Sequence, residues 1–480
     1  MSRYAMPPTT RQISRREMLR SVGTGLGAVG LARTLAAGPG STGTASTGTA
    51  SSGPLAVREP HFPAKAKHVI HLFLNGGPSH VDSFDFKPML DQYNGKPYPG
   101  GNLKTERKTG ALMRSPFEFK EYGESGLKIS EIFSNLAGCA DDLCVIKSMY
   151  TDVPFHEPSL FMLNCGHRLA GHPSMGAWLT YGLGTENQDL PGYIVMCPGL
   201  PVIGPQLWSS AFLPGSFQGA YVRNDEEEPD KLVSYVRNPR LRPEQQSRQV
   251  ELLSRLNRMH LDEQGHAPQL EATIHSMEVA FRMQVEALDA FDVRKESTKT
   301  RERYGEGDFA RGCLVARRLV ERGVRMVQVY YGNMQPWDTH EDIQQMRKLT
   351  ADSDAPMAAL IQDLKASGLL DETIVLISGE FGRTPTVEVS GRISVQNGRD
   401  HNSHGFSAVL AGGGFKGGLA YGNTDDFGFQ AEENPVHPHD LHATMLHLMG
   451  FDHTRLTYRH SGRDYRLTDV EGKVVNEILA

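Results

Sequence analysis

The feature that most restricts the fold of this chain is a set of short, nearly unbroken apolar runs, each long enough for one strand and too short for a helix. They extend from His68 to Leu74, Leu143 to Lys147, Tyr193 to Cys197, Val324 to Tyr331, Thr373 to Ser378 and Ser407 to Ala411. A strand with one solvated face alternates apolar and polar residues, whereas a strand covered on both faces does not. Between the runs lie helical patterns at Ser130 to Ala140, Ser174 to Tyr181, Phe309 to Arg322, Ala355 to Ala366 and Leu441 to Met449. This alternation predicts an α/β fold, a doubly wound sheet with helices on both faces. No internal repeat is visible, and one domain with insertions accounts for the length. The main insertion, about residues 244 to 291, carries two amphipathic stretches separated by Gly265 and Pro268, which predicts a helical hairpin packed on the sheet.

The N-terminus is of another kind. Adjacent Arg15 and Arg16 precede a Gly- and Ala-rich apolar stretch from about Val22 to Ala37, the pattern of a twin-arginine export signal over residues 1–37. That stretch is short and interrupted by Arg33, and no longer apolar segment follows. Membrane attachment is therefore expected only through an uncleaved signal. Residues 38–63, including the low-complexity run GSTGTASTGTASSG, read as a flexible linker, and the folded domain is expected over 64–480. The expected destination is the periplasm or cell envelope, where a protein partner exported alongside is one expectation. Twin-arginine export carries proteins already folded, which suits a metal inserted before transport.

Composition removes other classes. The formal charge of −6 comes from 50 basic and 56 acidic residues with no long basic run, which excludes nucleic acid as a partner. The five cysteines are widely spaced without a CxxC pair, which argues against a thiolate zinc site. Cys139 and Cys144 are close enough in sequence to be considered for pairing after export.

In open α/β sheets functional residues gather beyond the carboxyl ends of strands, so each strand is followed into its loop. The first runs into NGGPSHVDSFD, where Gly76 and Gly77 permit close backbone approach and His80, Asp82 and Asp85 are possible ligands. The run ending at Tyr331 leads to Asp338 and His340, able to face one ion from an extended loop. The run ending at Ser378 leads to Glu380 and Arg383, an acid and a planar cationic fork for an oxyanion, or a pair that simply neutralise each other. Asp400, His401 and His404 stand just ahead of the run from Ser407. His437, His439, His442 and His447 lie on a helical pattern and read as cap, core or surface residues. A mixed Asp, Glu and His set suits a mono- or dinuclear hydrolytic site holding a divalent zinc, manganese, iron or calcium ion.

Taken together, NGGPSHVDSFD, PSMGAWLTYGLG, WDTH, GLLDETIVLISGEFGRTP, GRDHN, HDLHATMLHLMG and GRDYRLTD, from about Lys67 to the C-terminus, resemble an exported bacterial domain-of-unknown-function family of planctomycete type. That family is similar to the alkaline phosphatase and sulfatase superfamily. The resemblance implies an alkaline-phosphatase-like fold and a metal-dependent hydrolase of phosphate or sulfate esters, with a small ester or a glycan-linked substrate. Carried over residue by residue, Asp338 and His340 match a metal-binding Asp/His pair, and His401, beside Asp400, matches a late histidine. Glu380 falls where the superfamily has Asp, Phe381 where it has a metal-binding His, and Asn75 where it has the first-strand acid, leaving His80 or Asp82 to substitute.

Thr151, ahead of a helix expected from about Pro158, is the first choice of nucleophile, with His156 assisting. Ser159, Ser174 and a metal-activated water are alternatives. No CxPSR motif occurs, which disfavours a formylglycine sulfatase. The departures at Asn75 and Phe381 motivate another reading, a non-catalytic binding or assembly module that retains the fold. A further alternative keeps the metal but cleaves an amide or a glycan substituent.

Overall fold

The structure is a computed structural model that describes residues 55–480 apart from 102–104, 188, 229–231, 233–241, 390–396 and all but scattered positions of 243–287. The twin-arginine signal, most of the linker and most of the helical insertion lie outside the described residues. The strands up to residue 421, in chain order, are β1 (His68–Phe73), β2 (Thr109–Leu112), β3 (Phe119–Tyr122), β4 (Leu127–Ser130), β5 (Leu143–Met149), β6 (Tyr193–Met196), β7 (Ala220–Val222), β8 (Met326–Tyr330), β9 (Thr373–Ser378), β10 (Gly382–Glu388), β11 (Arg399–Asn402), β12 (Phe406–Ala411) and β13 (Leu419–Tyr421), and two short hairpins follow. The principal helices are α1 (His156–Cys165), α2 (Met175–Leu183), α3 (Asp308–Val320), α4 (Met346–Ala366) and α5 (Pro438–Leu448).

All six apolar runs are strands of one eight-stranded sheet in the order β13-β5-β12-β9-β1-β8-β6-β7. β1 pairs in parallel with β8 and β9, while β12 runs antiparallel to β5 and β9, so the sheet is mixed. Its central strands are buried on both faces because helices cover both. Neighbouring residues of β8 show this: Gln328 donates to Asn164 of α1 at 2.6 Å, whereas a Cβ on Gly312 of α3 would stand 2.6 Å from Val329 Cγ1. Successive side chains of a strand point to opposite faces, so α1 and α3 lie on opposite sides of the sheet.

Several boundaries depart from the sequence reading for identifiable reasons. The expected helix from Ser130 to Ala140 is two 3-10 segments, Glu131–Phe133 and Leu136–Asp142. There the Asp354 carboxylate of α4 accepts the Asn135 and Leu136 amides, which holds a tight turn in place of an α-helix. α4 begins at Met346, not Ala355, and contains Pro356, a residue that reads in sequence as a helix start. α1 begins two residues before Pro158. The linker reading fails over its last residues: Leu55 is buried, its carbonyl accepts from Thr185, and the Arg58 amide donates to Leu183. β10 and β11 are polar segments that form a three-stranded sheet with β2, which apolar patterning could not reveal. All five cysteines are buried and free, so Cys139 and Cys144 do not pair. Among the described residues no helix is long and apolar enough to cross a membrane.

The topology sets where chemistry can occur. β1, β5, β8 and β9 all point the same way, so the loops at Asn75, Thr151, Asp338 and Glu380 emerge at one edge of the sheet. β12 runs oppositely, so the residues ahead of it, Asp400 to Ser403, reach that same edge.

Candidate metal centre

Three side chains converge at this edge. His340 Nε2 is 2.8 Å from Asp338 Oδ1, His401 Nε2 is 3.0 Å from the same oxygen, and the two Nε2 atoms are 2.9 Å apart. The outer ring nitrogens assign the tautomers. His401 Nδ1 donates to the Pro154 carbonyl at 2.8 Å, and His340 Nδ1 donates to the Glu388 carboxylate. With both Nδ1 atoms engaged outward, the two Nε2 atoms and a carboxylate oxygen face one another. Second partners fix metal-ligating imidazoles in this manner. Donor atoms 2.8–3.0 Å apart match cis positions around an octahedral ion bound at about 2.0–2.1 Å, and would open by a few tenths of an ångström, to about 3.3 Å, around a tetrahedral one.

β10 and β11 bring these groups together. Their antiparallel register places Arg383 opposite His401, and Val387 opposite Arg399. The glycine pair after β1 closes the other side. Gly76, at φ +120°, lies so near the Asp338 loop that a Cβ would stand 2.5 Å from the Asp338 nitrogen. Gly77, at φ +80°, would place a Cβ 2.7 Å from the Phe381 ring. Both conformations and both spaces require glycine.

Glu380 and His156 form a second unit. The Gly76 amide donates to both Glu380 oxygens at 3.1 Å, and His156 Nδ1 bonds to Oε1 at 2.7 Å. Glu380 is thus the orienting partner of His156, which corrects its expected place among the ligands. His156 Nε2 stands 3.5 Å from Asp338 Oδ2 without an aligned hydrogen bond. Burial opposes charge on this ring, but the Asp338 and Glu380 carboxylates outweigh it and raise its pKa to about 9. Burial likewise raises the Asp338 carboxyl, and Arg383 with His156, His340 and His401 overrides it, holding the group well below the usual carboxylate range.

Acids that sequence reading missed complete the surroundings. Glu388 joins His340 to Arg107, whose Nη1 lies 3.2 Å from its other oxygen. Glu106 lies against His401 Nδ1, and Asp400 Oδ2 accepts the Arg107 amide at 2.6 Å. Glu106 and Arg107 sit in the charged run KTERK, which reads as a solvated loop, and Glu388 gives no sequence signal beyond its charge. Three residue groups, His156 with Asp338 and His401, Glu106 with Asp400 and His401, and His340 with Glu388 and Asp400, each present atoms within 4.8 Å of one another. Five carboxylates, Glu106, Asp338, Glu380, Glu388 and Asp400, face three cations, the guanidiniums of Arg107 and Arg383 and the His156 ring with its raised pKa. Unpaired buried charge is costly, so this negative excess calls for further cations. Among the described residues His156 Nε2 and Asp400 Oδ1 are buried without hydrogen-bond partners. The residues therefore fit a divalent ion, and an imidazole-containing donor set fits zinc, iron or manganese better than calcium.

Other expected members lie elsewhere or do other work. Asp82 pairs with Arg399 at 2.6 Å, with both side chains fully buried, and also accepts from Ser79. His80 Nε2 binds the Gly428 carbonyl at 2.7 Å, and neither His80 nor Asp82 belongs to the three groups above. The fold engages both in these contacts, apart from the converging groups. Arg383 is no open fork: Nε donates to Gly77 O, Nη1 to Arg399 O, and Nη2 to Gly76 O and Asp338. Thr151 is held through its amide by Ser403 O, and its hydroxyl makes no hydrogen bond among the described residues. The Ser159 hydroxyl donates to Val153 O, and Ser174 caps α2. His437 caps α5, while His439 and His442 bond to carbonyls near the end of α1. Asn75 donates to the Gly332 and Met334 carbonyls, and Phe381 packs against both the His156 and His401 rings, which also touch each other.

Solved structures with a similar fold include the lipoteichoic acid synthase LtaP from Listeria monocytogenes, 10% identical over 86% of this chain and 78% of that one, with a TM-score of 0.34. The PsFucS1 sulfatase from Pseudoalteromonas sp. is 12% identical over 91% and 72%, with a TM-score of 0.32. The alkaline phosphatase from the Antarctic bacterium TAB5 is 9% identical over 73% and 92%, with a TM-score of 0.29. No curated protein matches. Residues 66–479 match the profile of a family described as protein of unknown function, DUF1501, and the chain belongs to that family.

Proposed function

We propose that this chain is a metal-dependent hydrolase of phosphate or sulfate esters, exported by the twin-arginine route to the periplasm or cell envelope. One observation carries the metal dependence: His340 Nε2, His401 Nε2 and an Asp338 carboxylate oxygen meet within 3.0 Å of one another, while both Nδ1 atoms are engaged outward. The choice of ester rests on the sequence resemblance to the alkaline phosphatase and sulfatase superfamily.

Asp338, His340 and His401 would hold the ion, with Asp400 and Glu106 adjacent. A bound divalent ion supplies Lewis acidity and lowers the pKa of water. Glu380 holds His156 through Nδ1 so that Nε2 faces the Asp338 side, the position from which His156 would move a proton. Asp338 is already bound to the Arg383 guanidinium, which fixes its orientation. The Ser159 and Ser174 hydroxyls serve the backbone, which leaves water and the Thr151 hydroxyl as the attacking groups to be told apart.

The test is elemental analysis of protein purified without chelator or metal-binding tag, followed by an ester panel with the metal found. Stoichiometric zinc, iron or manganese, lost in Asp338→Asn together with ester hydrolysis, is the expected result. A folded protein that takes up no supplied metal refutes the reading and makes a binding module the better account. For the export step, replacing Arg15 and Arg16 with lysine should retain the protein in the cytoplasm; unchanged delivery refutes that part.

A further inference from the structure

An anionic ester needs a cationic receptor beside the centre, and Arg383 has its donors committed to carbonyls and Asp338. Arg107 is differently placed. It lies on a short segment pinned to the centre at several points. Its amide donates to Asp400 Oδ2 at 2.6 Å, the preceding Glu106 rests against His401, and Nη1 donates to Glu388 Oε1 at 3.2 Å. Glu388 in turn holds His340. Arg107 is thus fixed through Nη1 to the residue that orients one proposed ligand, His340, and through its amide to Asp400, the neighbour of another.

The other edge of the guanidinium is open. Among the described residues Nε and Nη2 make no hydrogen bond, Nε standing 4.0 Å from Glu106 Oε1, and the side chain is 40% exposed. Nε–H and Nη2–H are parallel donors on one edge of a rigid plane, the fork that matches two oxygens of a tetrahedral oxyanion. We propose that Arg107 is the oxyanion receptor of this site, engaging two oxygens of a phosphate or sulfate monoester through Nε–H and Nη2–H. This assignment rests on the hydrolase reading above and replaces the role that sequence reading gave to Arg383. A lysine at this position would offer a point charge without the fork, so charge and geometry are separable.

The experiment is calorimetric titration of the full, metal-loaded chain with inorganic phosphate, with metal content measured on every sample. Arg107→Ala is expected to weaken phosphate binding at least tenfold and Arg107→Lys by a smaller factor, with metal content unchanged. In steady-state hydrolysis the loss should appear mainly in KM. Phosphate binding by Arg107→Ala within twofold of the unmodified chain overturns the assignment, as does an unmodified chain that binds no phosphate. Absence of metal from the unmodified chain is a separate result that defeats the hydrolase reading, and the phosphate titration of that protein still decides the role of Arg107.

Discussion

Asp82 separates the two roles that sequence and structure give it. Asp82→Asn keeps the shape and one acceptor oxygen but leaves the buried Arg399 charge without its counter-charge, faced by that oxygen and the Thr384 and Met113 carbonyls. Removing one member of a buried ion pair costs about 3–5 kcal/mol, and the remaining polar partners place this case near 3 kcal/mol. Against a total stability of about 5–15 kcal/mol that is a large fraction, expected as a clear drop in the urea midpoint. Because Asp82 lies outside the three converging groups, the folded variant at low temperature should retain its metal. Urea unfolding and elemental analysis of the same preparation make the comparison. A variant that unfolds at the unmodified midpoint but has lost its metal would refute the reasoning and return Asp82 to the ligand set.

Three further outcomes follow from the geometry. Gly76→Ala would drive a Cβ against the Asp338 nitrogen at a backbone angle alanine avoids, so metal affinity in chelator competition should fall at least tenfold; unchanged affinity would show that the loop yields. Thr151→Ala should change kcat/KM by less than about threefold if water attacks, whereas a loss above a hundredfold or a covalent adduct on Thr151 would make it the nucleophile. In metal-free protein the raised pKa of His156 favours folding fully below about pH 6.5, and that contribution disappears as pH rises through about 9. Metal uptake near pH 7.5 should accordingly release a proton, read as a binding enthalpy that differs between HEPES and Tris; identical enthalpies would contradict it.

The sheet was legible because burial on both faces writes itself as unbroken apolar runs, and six such runs became strands. The site was legible where chain neighbours share a task, as with Asp338 and His340, and at His401. It was illegible where partners meet only through tertiary register. Glu388 reaches His340 because β10 lies against β11, and both strands are too polar to announce themselves. Asp82 and Arg399, 317 residues apart, look like separate site residues until the fold neutralises one with the other. Arg383 and Arg107 present the same chemistry in sequence, and only the count of donors already committed distinguishes a structural guanidinium from an open one.

The five free thiols carry a consequence for where this chain can mature. Burial pushes Cys139 up to about 11 and Cys144 and Cys197 to about 12, so thiolate, the species that exchanges with disulfides, is scarce at neutral pH. No covalent cross-link has to form for the native state to be reached. Maturation therefore needs no oxidant, and under the proposed export of the finished domain an oxidising compartment would find little to react with. Equal refolding yields with and without a thiol reductant would bear this out, and a yield that depends on oxidant would not.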